Sequence, residues 1–195
     1  MSAYDLVVET IRQEHRVLGH VVEVLQHSLS DIVAEHAEAD FNLLAAILYY
    51  IDDFPERVHH PKEDEYLFKT LRVQSREFDA VLDDLQQEHV QSARMVREMH
   101  AALVHFLAGA YGGLQAFKHC VDDYASMLRA HMRKEEELLA RAGASLPESV
   151  WQDLLTAFSA NEDPLLADDV RVEFRKLYRR IQNLLPTKLR YPRAK

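Results

Sequence analysis

The sequence predicts an all-α protein: an up-down-up-down four-helix bundle over residues 1–142, then a C-terminal helical extension with a basic tail over residues 143–195. Three observations predict it. Long segments carry apolar residues at helical spacing, with charged residues spread between them. Five Gly and six Pro among 195 residues leave little material for loops. The third observation is a duplication. Gln13-Glu14-His15 is followed 44 residues on by His59-His60-Pro61-Lys62-Glu63-Asp64, and Gln87-Glu88-His89 is followed 42 residues on by His131-Met132-Arg133-Lys134-Glu135-Glu136.

The first helix is expected from about Ala3 to the Ser28–Ala34 region, with Leu6, Ile11, Leu18, Val22 and Leu25 in helical register and His15 near its middle. The second starts close to Asp40 and runs to about Leu71, with Leu43, Leu44, Ile47, Leu48, Ile51 and Phe54 as its apolar face. Pro55 and Pro61 interrupt its C-terminal half. An interior proline costs about 3 kcal/mol and bends a helix, so a kink is expected beside His59 and His60.

The third helix should run from about Glu77 to Ala108, stopped by Gly109 to Gly113, and the fourth from about Leu114 to Arg141, ending before Gly143. Short connections between long helices favour antiparallel neighbours. Beyond them, Ser145 reads as the cap of a short helix that ends near Ser159. A last helix is expected at about Asp169–Leu185. It alternates Val172, Phe174, Leu177 and Ile181 with Arg171, Arg175, Lys176 and Arg179, and Pro186 stops it. Such a helix packs its apolar stripe on the parent bundle or forms a homodimer with a second copy.

A net charge of −9, from 23 basic and 32 acidic residues, disfavours a nucleic-acid surface, which needs clustered positive charge. The single cysteine, Cys120, excludes an internal disulfide and reads as a small hydrophobe. The first ten residues include Asp5 and Glu9 and lack a signal-peptide pattern, and no stretch reaches the roughly 20 apolar residues of a membrane span. The expectation is a cytoplasmic protein with no membrane span.

The duplicated segments carry the chemistry. Each offers a lone histidine on one helix and a His-x-x-x-Glu pair on the next. Residues four apart share a helical face, so His59 with Glu63, and His131 with Glu135, can each reach one point. Two such faces, met by His15 and His89, make a four-helix cage. Imidazole and carboxylate together suit iron or another first-row metal.

The run from His59 to Phe68, the Glu-His pairs at 14–15 and 88–89, and His131-x-x-x-Glu135-Glu136 resemble the hemerythrin-like (HHE cation-binding) family over about residues 1–142. The resemblance implies a left-handed four-helix bundle around two non-haem iron ions, a di-iron centre bridged by carboxylates and an oxo or hydroxo group. Carried over by position, it makes His15, His59, Glu63, His89, His131 and Glu135 the metal ligands. Glu14 or Glu88 would orient imidazoles. The third helix of oxygen-carrying hemerythrins supplies His-x-x-x-His, whereas here Ala93 stands four beyond His89. His60 replaces the missing imidazole if the kink turns both neighbouring histidines inward.

Asp64 and Glu136 are weaker alternatives to Glu63 and Glu135, each about 100° round the helix. Tyr124 reads as a core aromatic. His20, His27, His36, His100, His105 and His119 fall outside the repeated frame and read as surface or supporting residues.

Two function classes follow. In the first, the protein binds, senses or reacts with a small diatomic or peroxide ligand (oxygen, nitric oxide or hydrogen peroxide), and these residues do not separate carrier, sensor and enzyme. In the alternative, it is a helical interaction or structural module that binds zinc or no metal.

Overall fold

The computed structural model describes residues 1–158 together with Arg179, Ile181 and Asn183. No strand occurs among them, and none of their helices is long and apolar enough to cross a membrane. Helix α1 spans Ala3–Val33, opened by a capping box in which Ser2 and Asp5 satisfy one another's backbone N–H groups. Asp40 accepts from Leu43 N at 3.1 Å and starts α2, Phe41–Asp53.

The chain then continues without a break to Gln74 through alternating geometry: a π-helical turn at Pro55–His59, a short α3 at His60–Lys62, a second π-helical turn at Glu63–Phe68, and α4 at Lys69–Gln74. The expected second helix is therefore present and three residues longer than expected. Its irregularity is a pair of widened turns flanking His60–Lys62, in place of a single proline kink. Pro61 lacks an N–H, and a turn bonded five residues back accommodates that loss without ending the helix.

A 3₁₀ turn at Arg76–Phe78 leads into α5, Asp79–Leu107. Gly109 and Gly112 take positive φ, 69° and 71°, and reverse the chain into α6, Gly113–Ser145. Helix α6 runs past the expected stop at Gly143, because that glycine serves packing: a Cβ there would collide with the Tyr4 ring. Ser145 belongs to α6, where its hydroxyl donates to Arg141 O at 2.7 Å, so it does not cap the next helix. That helix, α7, covers Glu148–Phe158.

Helix α1 packs on α2 and α6, and α5 packs on the same two, so the four long helices form a closed square. The apolar core divides along the bundle axis. One half takes Val17–Leu29 of α1, Leu43–Phe54, Val96–Leu103 of α5 and Phe117–Leu128 of α6. The other takes Ala3–Ile11, Leu67–Leu71, Phe78–Leu85 and Leu138–Ala142. The late part of α1 thus meets the early part of α2, and the late part of α5 meets the early part of α6, as alternating up and down directions require.

Helix α7 closes the second half by laying Trp151, Leu154 and Phe158 against it. Trp151 meets Tyr4 edge to face, with ring centroids 4.9 Å apart, and Glu148 accepts from Ala3 N at 2.5 Å. Of the expected last helix, only Arg179, Ile181 and Asn183 fall within the described residues, and Ile181 is buried in the first core half. The basic tail and a homodimer contact through that helix lie outside them.

Because Trp151 is fully buried at this junction, Trp151→Ala should lower unfolding free energy by about 3–5 kcal/mol. Guanidinium titration followed by circular dichroism checks this, and a loss under about 1 kcal/mol would mean that α7 adds little to the bundle.

Candidate metal centre

Between the two apolar halves lies a single polar layer. Helix α1 contributes His15 just beyond Ile11, and the irregular second helix contributes His59, His60 and Glu63 between Phe54 and Leu67. Helix α5 contributes His89 between Leu85 and Val96, and α6 contributes His131 and Glu135 between Leu128 and Leu138. All seven residues are buried, and the structure brings all seven together.

The widened turns explain how His59 and His60 both face inward. Consecutive residues of an α-helix point about 100° apart, so ordinary geometry would turn one of them away. Here His59 N donates to Phe54 O at 3.0 Å and His60 N donates to Pro55 O, both five residues back. The extra residue in the turn reduces the rotation between neighbours. Such single-turn π segments recur at functional sites.

Two donor groups result. His60, His89 and His131 form one; His15, His59, Glu63 and Glu135 form the other, and within each the donor atoms lie within 4.8 Å of one another. Glu63 joins them: its Oε1 lies 3.1 Å from His59 Nε2, and its Oε2 lies 3.6 Å from His89 Nε2. His15 Nε2 lies 3.2 Å from Glu135 Oε2. His60 stacks on His89 with centroids 4.2 Å apart, and Phe68 also stacks on His89, at 5.5 Å. His60 therefore stands beside His89, on the helix before the one where Ala93 carries no imidazole.

A ring of carboxylates surrounds these imidazoles. Glu14 Oε2 lies 2.8 Å from His59 Nδ1, Glu88 Oε2 lies 3.0 Å from His131 Nδ1, and Asp64 Oδ1 lies 3.1 Å from His89 Nδ1. Glu56 Oε2 stands 3.6 Å from His60 Nδ1, and Glu56 Oε1 accepts a short hydrogen bond from the Ser92 hydroxyl. For His59, His89 and His131, an Nδ1–H donated to the carboxylate would leave the Nε2 lone pair directed inward, the tautomer that a metal ligand needs.

The electrostatics of the layer are those of a cation site. Burial, reinforced by the Glu135 charge beside it, pushes Glu63 well above the ordinary carboxylate range. Burial and the surrounding imidazoles hold His60 well below the ordinary histidine value, and burial likewise lowers His59. Both oxygens of Glu63 and Glu135, and Nε2 of His15, His60, His89 and His131, are buried without a hydrogen-bond partner. Uncompensated burial of so many polar atoms costs several kcal/mol, and a cation bound among them removes that cost.

The Hemerythrin HHE cation binding domain family matches residues 6–142 of the chain. The chain belongs to this family. No curated protein and no solved structure gives a significant match. The hemerythrin-like fold thus carries His and Glu groups able to hold metal cations at mid-bundle.

The weaker candidates fall elsewhere. Asp64 serves His89 from behind, and Glu136 lines a surface cleft between α1 and α6. Tyr124 is fully buried in the first core half, where Cys120 is partly buried. None of the six histidines outside the frame is buried. Two supporting residues were missed from sequence, Glu56 and Ser92. Glu56 precedes His60 by four and Ser92 follows His89 by three, so helical spacing alone would have flagged both as neighbours.

Glu56 permits a test of this layer in the metal-free protein. Burial pushes its carboxyl up to about 7. The folded state then binds the extra proton between the unfolded value of 4.5 and about 7, so the penalty is absent at low pH and complete above about 7. Glu56→Gln should therefore stabilise the metal-free chain at pH 8, by up to about 3 kcal/mol, with the gain disappearing toward pH 4.5. Urea titrations across pH in the presence of chelator check this; a pH-independent difference would contradict it.

Proposed function

We propose that the chain is a non-haem di-iron protein that binds, senses or reacts with oxygen, nitric oxide or peroxide. One observation carries this reading: a group of three imidazoles and a group of two imidazoles and two carboxylates stand side by side in the core, and Nε2 of four of the five imidazoles and all four carboxylate oxygens have no hydrogen-bond partner. His60, His89 and His131 would hold one ion, and His15 and His59 the other. Glu63, whose two oxygens face different groups, would be shared, with Glu135 alongside.

The mixture of imidazole and carboxylate suits iron, and two carboxylates offset part of the charge of two cations. Iron bound there would supply redox chemistry and an exchangeable position for a small ligand. The rest is the work of the protein. Glu14, Glu88 and Asp64 fix imidazole orientation, and Lys134 bonds Glu88 at 2.5 Å, holding that carboxylate behind His131. Phe54, Phe68 and Leu128, all buried, border the layer with apolar surface.

The decisive measurement is iron and zinc per chain in protein produced with iron supplied, with the absorption spectrum of the reduced form before and after oxygen. Two irons and a reversible oxygen-dependent band are expected for a carrier or sensor, and irreversible oxidation for a reactive centre. Zinc alone, or no metal, would overturn the proposal.

Two variants sharpen it. His131→Ala should remove metal and absorbance together. Glu14→Ala removes an orienting partner but no proposed ligand, and should weaken metal affinity by about 10–100-fold. Equilibrium competition with a chelator reads this, and unchanged affinity would show that Glu14 does not support His59.

A further inference from the structure

The two donor groups differ in how they meet the surface. The gap beside the three-histidine group, bounded by Ser92, Met127 and Leu128, has no room for a water molecule. The larger groove of about 770 Å³ between Arg57–Tyr66 and α7 touches none of the seven residues. A cleft of about 240 Å³ between α1 and α6, by contrast, has His15 in its wall. Among the described cavities it is the open one that reaches the cage.

His15 is also the least anchored imidazole. His59, His89 and His131 each bond a carboxylate through Nδ1, Glu14, Asp64 and Glu88 respectively, and His60 Nδ1, itself without a hydrogen bond, has Glu56 3.6 Å behind it. The Nδ1 of His15 is buried with no partner among the described residues. An imidazole without that bond loses least on rotating away from a metal.

Gly19 keeps the cleft open. It stands one turn after His15 on the same face of α1, and helical side chains lean toward the preceding turn, so a larger residue at 19 would lie over His15. A Cβ at Gly19 would have Met132 Cε as its neighbour, at 3.8 Å, which leaves room for more atoms. The rim suits a cation in transit: Glu23, Glu136 and His20 offer donors, while Arg16 is tied to Glu9 at 2.6 Å and Arg129 to Gln26 at 3.1 Å.

We infer that divalent metal ions enter and leave the cage through the α1–α6 cleft, with His15 as the releasing ligand and Gly19 facing Met132 as the gate. This rests on the metal-binding function proposed above and adds a direction to it: the two-histidine half exchanges first, and the three-histidine half exchanges through it.

The test is kinetic. Wild type, Gly19→Leu, Met132→Ala and an exposed control on α5, Ala101→Leu, are loaded with cobalt(II), and release to excess chelator is followed by absorbance. Gly19→Leu should slow both uptake and release several-fold with the final metal ratio unchanged. Met132→Ala should speed both, and Ala101→Leu should match wild type. Equal rates in all four proteins would overturn the inference. So would a wild-type release rate that climbs steeply with sub-denaturing urea, since metal would then leave by opening of the bundle. A wild-type chain that takes up no metal would overturn the metal-binding proposal itself, and the portal with it; metal uptake with unaltered exchange in Gly19→Leu and Met132→Ala overturns the portal alone.

Discussion

The buried polar layer is the constraint on which the rest of the structure depends. Four helices converge at mid-length on five imidazoles and two carboxylates, and each helix resumes an apolar face immediately on either side. Among the described residues, both oxygens of Glu63 and Glu135 and Nε2 of His15, His60, His89 and His131 have no hydrogen-bond partner, a set that a bound cation would satisfy. The bundle tolerates the layer because the apolar halves supply the folding energy. It makes the layer specific because any shift in helix register would place a carboxylate against Leu, Ile or Phe. Register and metal site are therefore one problem, solved together.

That same constraint accounts for the one irregular helix. Helices α1 and α5 each bring a single histidine, and α6 brings His131 and Glu135 at a spacing of four, which regular geometry allows. The second helix must bring His59, His60 and Glu63, and two of these are adjacent. Widened turns on both sides of His60–Lys62 are the local answer, and the two prolines make it less costly, since each removes an N–H that regular helix would have used. Only the carboxylate partners then remain to be placed. There are four: Glu14 and Glu88, each one residue before a caged histidine, pair with His59 and His131 on other helices, Asp64, one residue after Glu63, pairs with His89, and Glu56, four before His60, faces His60.

What was legible in the sequence follows the same division between local and tertiary causes. The four long helices, the glycine reversal at Gly109–Gly112 and the seven polar residues were readable because periodicity, positive φ and a repeated frame are local signals. The π-helical turns were not, since prolines announce a disturbance without saying whether the helix breaks, bends or widens. Gly143 and Ser145 misled because both are terminators by type, yet Tyr4 requires the absence of a side chain at 143 and Ser145 bonds within its own helix. Glu56 escaped notice because a lone acidic residue beside a proline looks solvated until its neighbour Ser92 is known to be buried.

Lys62 shows how far the layer reaches. It is a buried cation on the short segment that carries His60, with Nζ 3.9 Å from Glu14 Oε1 and 5.6 Å from the centre of the Phe158 ring of α7. Glu14 is thus held between two partners of different kinds, the Lys62 ammonium and the His59 imidazole. One carboxylate faces Lys62 with Oε1 and His59 Nδ1 with Oε2, so the lysine helps to fix the group that orients the His59 ring. Phe158 and its neighbours in α7 shield this pair from solvent, which lengthens the reach of the Lys62 charge by lowering the local dielectric. The helix that closes the end of the bundle therefore acts on the cage through one lysine and one carboxylate, without supplying a residue to it.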